Sequence, residues 1–216
     1  MKTDKNKPLS DHTKLNYYEC YAKLVLEELF PDRYPHLRID DKPDLQGDNV
    51  GIEVTIANDP KHQEALANWV KANNCQDDTL RDHYIERMAQ LGVKYTGGVQ
   101  GWPGFIASIG FTKDAVESKI KKLKNGNYKS FERYELFIFT DTWYFDDDVK
   151  TAKEYLFCDS VSEYYKTVFV LSQGVNLHIF ENGKGIYYSI PIDNSEQFDR
   201  SIRARKIVED AEELLR

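Results

Sequence analysis

Apolar residues recur at helical spacing at Leu15, Tyr18, Ala22, Val25 and Leu29, which predicts a helix over about 11–30, capped by Ser10 or Asp11 and stopped by Pro31. The period then changes. Residues 37–45 and 50–57 are rich in Ile, Val and Leu and flank Gln46-Gly47-Asp48-Asn49, the pattern of two strands joined as a hairpin. Asn58-Asp59-Pro60 opens a helix reaching about Lys71, and a second helix is expected from Asp77 to Leu91. The most Gly-rich stretch, Gly97 to Gly104 with Trp102, reads as a loop or flap that could close over a substrate.

Thr112 caps a helix carrying Val116, Ile120 and Leu123 that ends at Asn125-Gly126-Asn127. Residues 134–140 form a short, continuous apolar run, as expected of a strand buried on both faces. Three further strands are predicted at 167–172, 176–180 and 186–190, with turns at Gly174 and Asn182-Gly183, and a charged helix over 193–216. Helices alternating with buried strands place the chain in the α/β class. At 216 residues it reads as a single domain, 1–216, with a core at about 11–140, an inserted helical and Gly-rich segment at 75–110, and a C-terminal extension at 165–216.

Composition narrows the function. No run reaches the ~20 apolar residues that span a bilayer, and the polar opening Met1 to Lys7 lacks a signal-peptide core, so a cytoplasmic protein with no membrane partner is expected. Cys20, Cys75 and Cys158 are too few and too scattered for a disulfide framework or a zinc cluster. Neither His-x-His nor His-Glu-x-x-His spacing occurs among His12, His36, His62, His83 and His178, and no Gly-x-Ser-x-Gly is present. Asp141 and Asp146 to Asp148 lack the Gly and distal Glu of an EF-hand loop and read as a solvated turn and helix start.

The hairpin carries the chemistry. Centred between Asp48 and Asn49, it sets Asp44 opposite Glu53, with Cβ atoms about 4.5–5.5 Å apart. Like charges that close call for a cation between them, and a hard divalent ion such as Mg²⁺ or Mn²⁺ suits two carboxylates. The same register sets Lys42 opposite Thr55 on the same face, as a local source of positive charge. Glu19 lies about 80° from the centre of its helix's apolar stripe, at the boundary of core and solvent, where it could reach the sheet.

With a helix, then Pro43-Asp44, then Ile52-Glu53-Val54-Thr55, the chain resembles the PD-(D/E)xK superfamily of restriction-endonuclease-like nucleases. The resemblance implies a central mixed sheet flanked by helices in the order α-β-β-β-α-β, here with extra C-terminal strands and a terminal helix. It implies Asp44, Glu53 and Glu19 as ligands of Mg²⁺ or Mn²⁺, Glu53 in a catalytic role, and metal-dependent phosphodiester hydrolysis of nucleic acid. This chain departs from the motif at Thr55, which stands where the family has lysine. Such lysines relocate within the superfamily, and Lys42, Lys119 and Lys61 are candidates to supply the ammonium. Lys119 lies about 65° from the apolar centre of its helix. The alternative is a catalytically inactive member serving as a binding or accessory protein, as in a defence or mobile-element system. A third reading makes the two carboxylates accidental.

The net charge of −7 excludes a surface that is basic all over. Nucleic acid is expected to bind through Lys113 to Arg133, which holds Lys113, Lys119, Lys121, Lys122, Lys124, Lys129 and Arg133 against Asp114, Glu117 and Glu132. The sequence leaves a homodimer or a protein partner open.

Overall fold

A computed structural model describes residues 9, 13–94, 108–141, 143 and 146–213. The expected flap at Gly97 to Gly104, with Trp102, lies outside the described residues. By its contacts the chain divides into two compact units, and the smaller is inserted between residue 57 and residue 107 of the larger. The insertion therefore starts earlier than position 75.

The smaller unit is a helix pair, α2 (Pro60–Asn74) and α3 (Asp78–Gln90), capped by the side chains of Asp59 and Asp77. Ala65, Ala72, Met88 and Val93 form its buried core, with Trp69, Tyr84 and Ile85 packed around them. Lys61 belongs to the first turn of α2, in this unit.

In the larger unit, α1 (Tyr17–Leu29) precedes β1 (Arg38–Ile39), β2 (Leu45–Gln46) and β3 (Val50–Ile56). After the insertion come α4 (Ile109–Asn125), β4 (Arg133–Thr140), α5 (Asp146–Leu156), α6 (Asp159–Ser162), β5 (Thr167–Ser172), β6 (Asn176–Glu181), β7 (Ile186–Pro191) and α7 (Asn194–Glu213). The strands form one mixed sheet in chain order, so the α/β class holds. Parallel β3, β4 and β5 make its centre, and antiparallel strands flank them on each side. All six residues of β5 are buried, as a strand covered on both faces requires.

Alternation along the strands sorts the side chains into two layers. Phe137, Phe139 and Phe169 face α1, where Tyr18 and Tyr21 meet the Phe139 ring and Phe30 meets Phe169. Helix α7 docks on α1, and Arg200 and Arg203 of α7 pair with Glu28. On the other face, Leu136, Ile138, Val168 and Val170 pack with Val116 and Ile120 of α4, Ala152 and Leu156 of α5, and Val161 of α6.

Three local expectations are corrected. The strand predicted over 37–45 is broken: Asp40 to Asp44 form a turn closed by the Asp40 N–H to the Asp44 carbonyl at 3.1 Å, and Lys42 takes a left-handed φ of 55°. Asp and Pro are turn formers, and Pro43 has no N–H to give a ladder. Helix α4 starts earlier than predicted, capped by Ser108, because Thr112 is buried and its Oγ1 accepts from the Trp143 indole at 3.1 Å. At the start of the chain, Asn16 caps α1 by accepting the Tyr18 N–H. Helices α5 and α6 have no counterpart in the predicted elements beyond Asp146 to Asp148, which form the first turn of α5.

Candidate active site

The hairpin register follows the sequence: Leu45 pairs with Ile52 and Gln46 with Gly51. The ladder then stops, one pair short of Asp44 and Glu53. Gly51 sets the approach, since a Cβ there would lie 2.5 Å from Pro43 Cγ and 2.9 Å from the Phe131 ring. Pro43 thus seats against β3 and carries Asp44 with it. Asp44 Oδ2 accepts the main-chain N–H of Val54 at 2.7 Å, so its side chain replaces the missing partner on the open edge of β3.

Lys42 is not brought opposite Thr55. Its left-handed turn ends the pairing, and its ammonium is more than half exposed, 3.8 Å from Asp41. The ammonium at the carboxylates comes from α4. Lys119 Nζ donates to Asp44 Oδ2 at 2.9 Å and to Glu53 Oε2 at 2.5 Å. Glu53 is 1% exposed, and the side chains of Lys119 and Asp44 keep only 12% and 19% of their surface.

Burial pushes the Glu53 carboxyl above the usual range, against the pull of Lys119. Burial also opposes the charge on Lys119, but Glu53 and Asp44 outweigh it and hold the ammonium protonated. Glu19, on α1, is raised to about 7, first by burial and then by the charge of Asp44, with Lys119 opposing. Glu19, Asp44, Thr55, Lys119 and Lys122 line one cleft of about 300 Å³. Asp41, Lys42, Asp44, Glu53, Lys119, Lys122 and Tyr128 line a second, of about 430 Å³. Asp44, Lys119 and Lys122 line both.

Tyr128, on the loop after α4, was not among the residues singled out from the sequence. Its hydroxyl is held above its ordinary pKa by burial and by Glu53. Yet Glu53 Oε1 is buried and meets no donor with hydrogen-bond geometry.

Among the described residues, no three His, Cys, Asp or Glu side chains are grouped to ligate a cation as they stand. Lys119 occupies the space between two of the expected ligands. The donor set still fits a hard cation by its chemistry: Asp44 and Glu53 are oxygen donors lining one cleft, and Glu19 feels the charge of both.

The basic segment is not one open face. Lys113 and Lys124 lie over the rings of Tyr155 and Tyr164, Lys129 lies over Phe131, and Arg133 pairs with buried Glu135. Lys121 and Lys122 are exposed, and Lys122 lines both clefts.

A second charged cluster occupies the opposite face of the sheet. Fully buried Glu135 accepts from Arg33 at 2.5 Å, from Arg133 at 3.2 Å and from the Tyr34 hydroxyl, while Arg33 also donates to Thr167 at 2.6 Å. Among the described residues no helix is long and apolar enough to cross a membrane. No family model matches the chain, and no curated protein or solved structure is significantly similar to it.

Proposed function

We propose that this protein is a divergent PD-(D/E)xK-like nuclease that hydrolyses phosphodiester bonds in nucleic acid with Mg²⁺ or Mn²⁺. The observation that carries this reading is the Lys119 ammonium at 2.9 Å from Asp44 and 2.5 Å from Glu53. It supplies from α4 the charge that Thr55 cannot. The order α1, β1 to β3, α4, β4 is also that of the restriction-endonuclease-like core and supports the same reading.

Asp44 and Glu53, with Glu19 beside them, would hold the cation, which when bound stabilises charge on the scissile phosphate. The chain's own groups divide the remaining work. Lys119 keeps its proton, so it orients water and stabilises negative charge rather than acting as a base. Glu19, whose carboxyl is held up by burial and by the charge of Asp44, would complete the acidic set once it gives up its proton. Lys122 and Lys42 line the larger cleft and bind backbone phosphate, giving a local positive site on an acidic protein.

A second reading, an inactive member that serves as a binding protein, is favoured by Lys119 itself, which already sits between the two carboxylates and offsets part of their charge. Mn²⁺ titration followed by electron paramagnetic resonance separates the two. The nuclease reading expects Mn²⁺ bound by the wild-type chain, weakened at least tenfold in Asp44→Asn, with metal-dependent cleavage of an oligonucleotide. Binding without cleavage supports the inactive reading, and no binding at millimolar Mn²⁺ refutes the metal site.

A further inference from the structure

Glu53 has one oxygen fixed and one unaccounted for. Oε2 accepts from Lys119, whereas Oε1 is buried without a partner. Leaving a buried carboxylate oxygen unsatisfied is costly, so a donor beside it is expected. Two hydroxyls are near enough to be affected by the charge of Glu53, those of Tyr128 and Tyr165.

The loop that carries Tyr128 is built to hold it still. Gly126 ends α4 with φ −92° and ψ 157°, a conformation open to any residue, so backbone freedom does not explain the glycine. Space does. A Cβ at Gly126 would lie 2.6 and 2.8 Å from the Tyr128 ring and 2.7 Å from the Lys122 carbonyl. The ring therefore lies directly on the Gly126 backbone. One residue further on, the Lys129 N–H donates to the Lys42 carbonyl at 3.2 Å, and the Tyr134 hydroxyl donates to the Lys129 carbonyl at 2.7 Å. The loop is fixed on both sides of Tyr128, whose side chain lines the cleft with Glu53.

We propose that Tyr128 is a positioning residue for Glu53, its hydroxyl donating to Oε1 so that Oε2 stays aimed at Lys119, and that Gly126 is glycine to seat the Tyr128 ring. This inference concerns the carboxylate site and stands whether or not the site cleaves phosphodiesters. Tyr165 is the rival donor. It is fully buried, its hydroxyl is unpartnered, and it belongs to the apolar core under α4.

The test reads Lys119, which reports on Glu53 through its bond to Oε2. In the full chain labelled with ¹⁵N-lysine, the Lys119 ammonium should give a slowly exchanging resonance, assigned by its loss in Lys119→Met. Tyr128→Phe and Gly126→Ala should speed its exchange at least fivefold or remove it, while Tyr165→Phe leaves it in place. A resonance unchanged in Tyr128→Phe, or lost equally in Tyr165→Phe, overturns the assignment. If Gly126→Ala does not fold, ¹³C-tyrosine spectra decide: the Tyr128 Cζ resonance should move upfield in Glu53→Gln while that of Tyr165 does not. A Tyr128 resonance indifferent to Glu53→Gln also overturns the proposal.

Discussion

Lys119 on α4 and Glu53 on β3 meet at 2.5 Å, joining a helix to the strand that carries the acidic half of the site. Glu53 is almost wholly buried, so this contact is structural as well as chemical. Removing the ammonium strands a carboxylate in the core. Lys119→Met should destabilise the fold by about 3 kcal/mol in urea denaturation at pH 7.5, the usual scale for breaking one side of a buried pair. The loss should shrink as pH falls, because the raised Glu53 carboxyl takes up a proton more readily than an ordinary one.

Asp44 has a second duty that charge alone does not describe. It accepts the Val54 N–H on the open edge of β3, and an amide oxygen can take the same bond. Asp44→Asn should therefore keep the edge intact and weaken only the ion pair. Asp44→Ala should cost a further ~1–2 kcal/mol for the unsatisfied N–H, measured as the difference between the two variants' urea midpoints. Equal midpoints would remove the edge role.

Glu19 sets a pH dependence. Its folded pKa, raised to about 7, lies above the ordinary 4.5, so the folded state holds a proton that the unfolded state has lost between those values. Stability must fall as pH rises through that window and level off above 7. Glu19 is partly solvated, which reduces the effect to about 1 kcal/mol. Stability curves from pH 4.5 to 8 should be flatter in Glu19→Gln, which should be the more stable protein at pH 8 and no more stable at pH 4.5.

The cluster around Glu135 should behave as an independent structural unit. Glu135 shares a face with its strand neighbour Ile52, and Glu53 shares the opposite face with Leu136. Glu135→Ala removes the carboxylate that Arg33, Arg133 and the Tyr34 hydroxyl share and should cost ~3–5 kcal/mol. Combined with Asp44→Asn, the losses should add within about 0.5 kcal/mol, whereas coupling above 1 kcal/mol would join the two networks.

Much of this architecture is written locally and could be read. The hairpin register follows from turn residues and alternation, and the apolar run at 134–140 announces a strand covered on both faces. Lys119 was legible as a candidate because helical geometry puts it at the core edge. Choosing between it and Lys42 was not, because the choice depends on a left-handed turn at Lys42 that ends the ladder before Thr55. Tyr128 left no signal. Its place depends on a ring seated on Gly126 and on a loop bonded to residues far away in sequence. Helix α5 was hidden because its amphipathic stripe begins only after three aspartates that read equally well as a turn.

Cleavage under single-turnover conditions tests the central claim most directly. End-labelled DNA and RNA oligonucleotides would be incubated with the wild-type chain and with Lys119→Met, each shown to be folded, at the same millimolar Mn²⁺ and with excess chelator as control. The wild-type chain should cleave in a reaction that chelator abolishes, at a rate about 10²–10³ above that of Lys119→Met, the scale for losing one charge-stabilising group. Wild-type protein that binds Mn²⁺ but cuts neither substrate, or a Lys119→Met protein that cuts as fast, would contradict the claim.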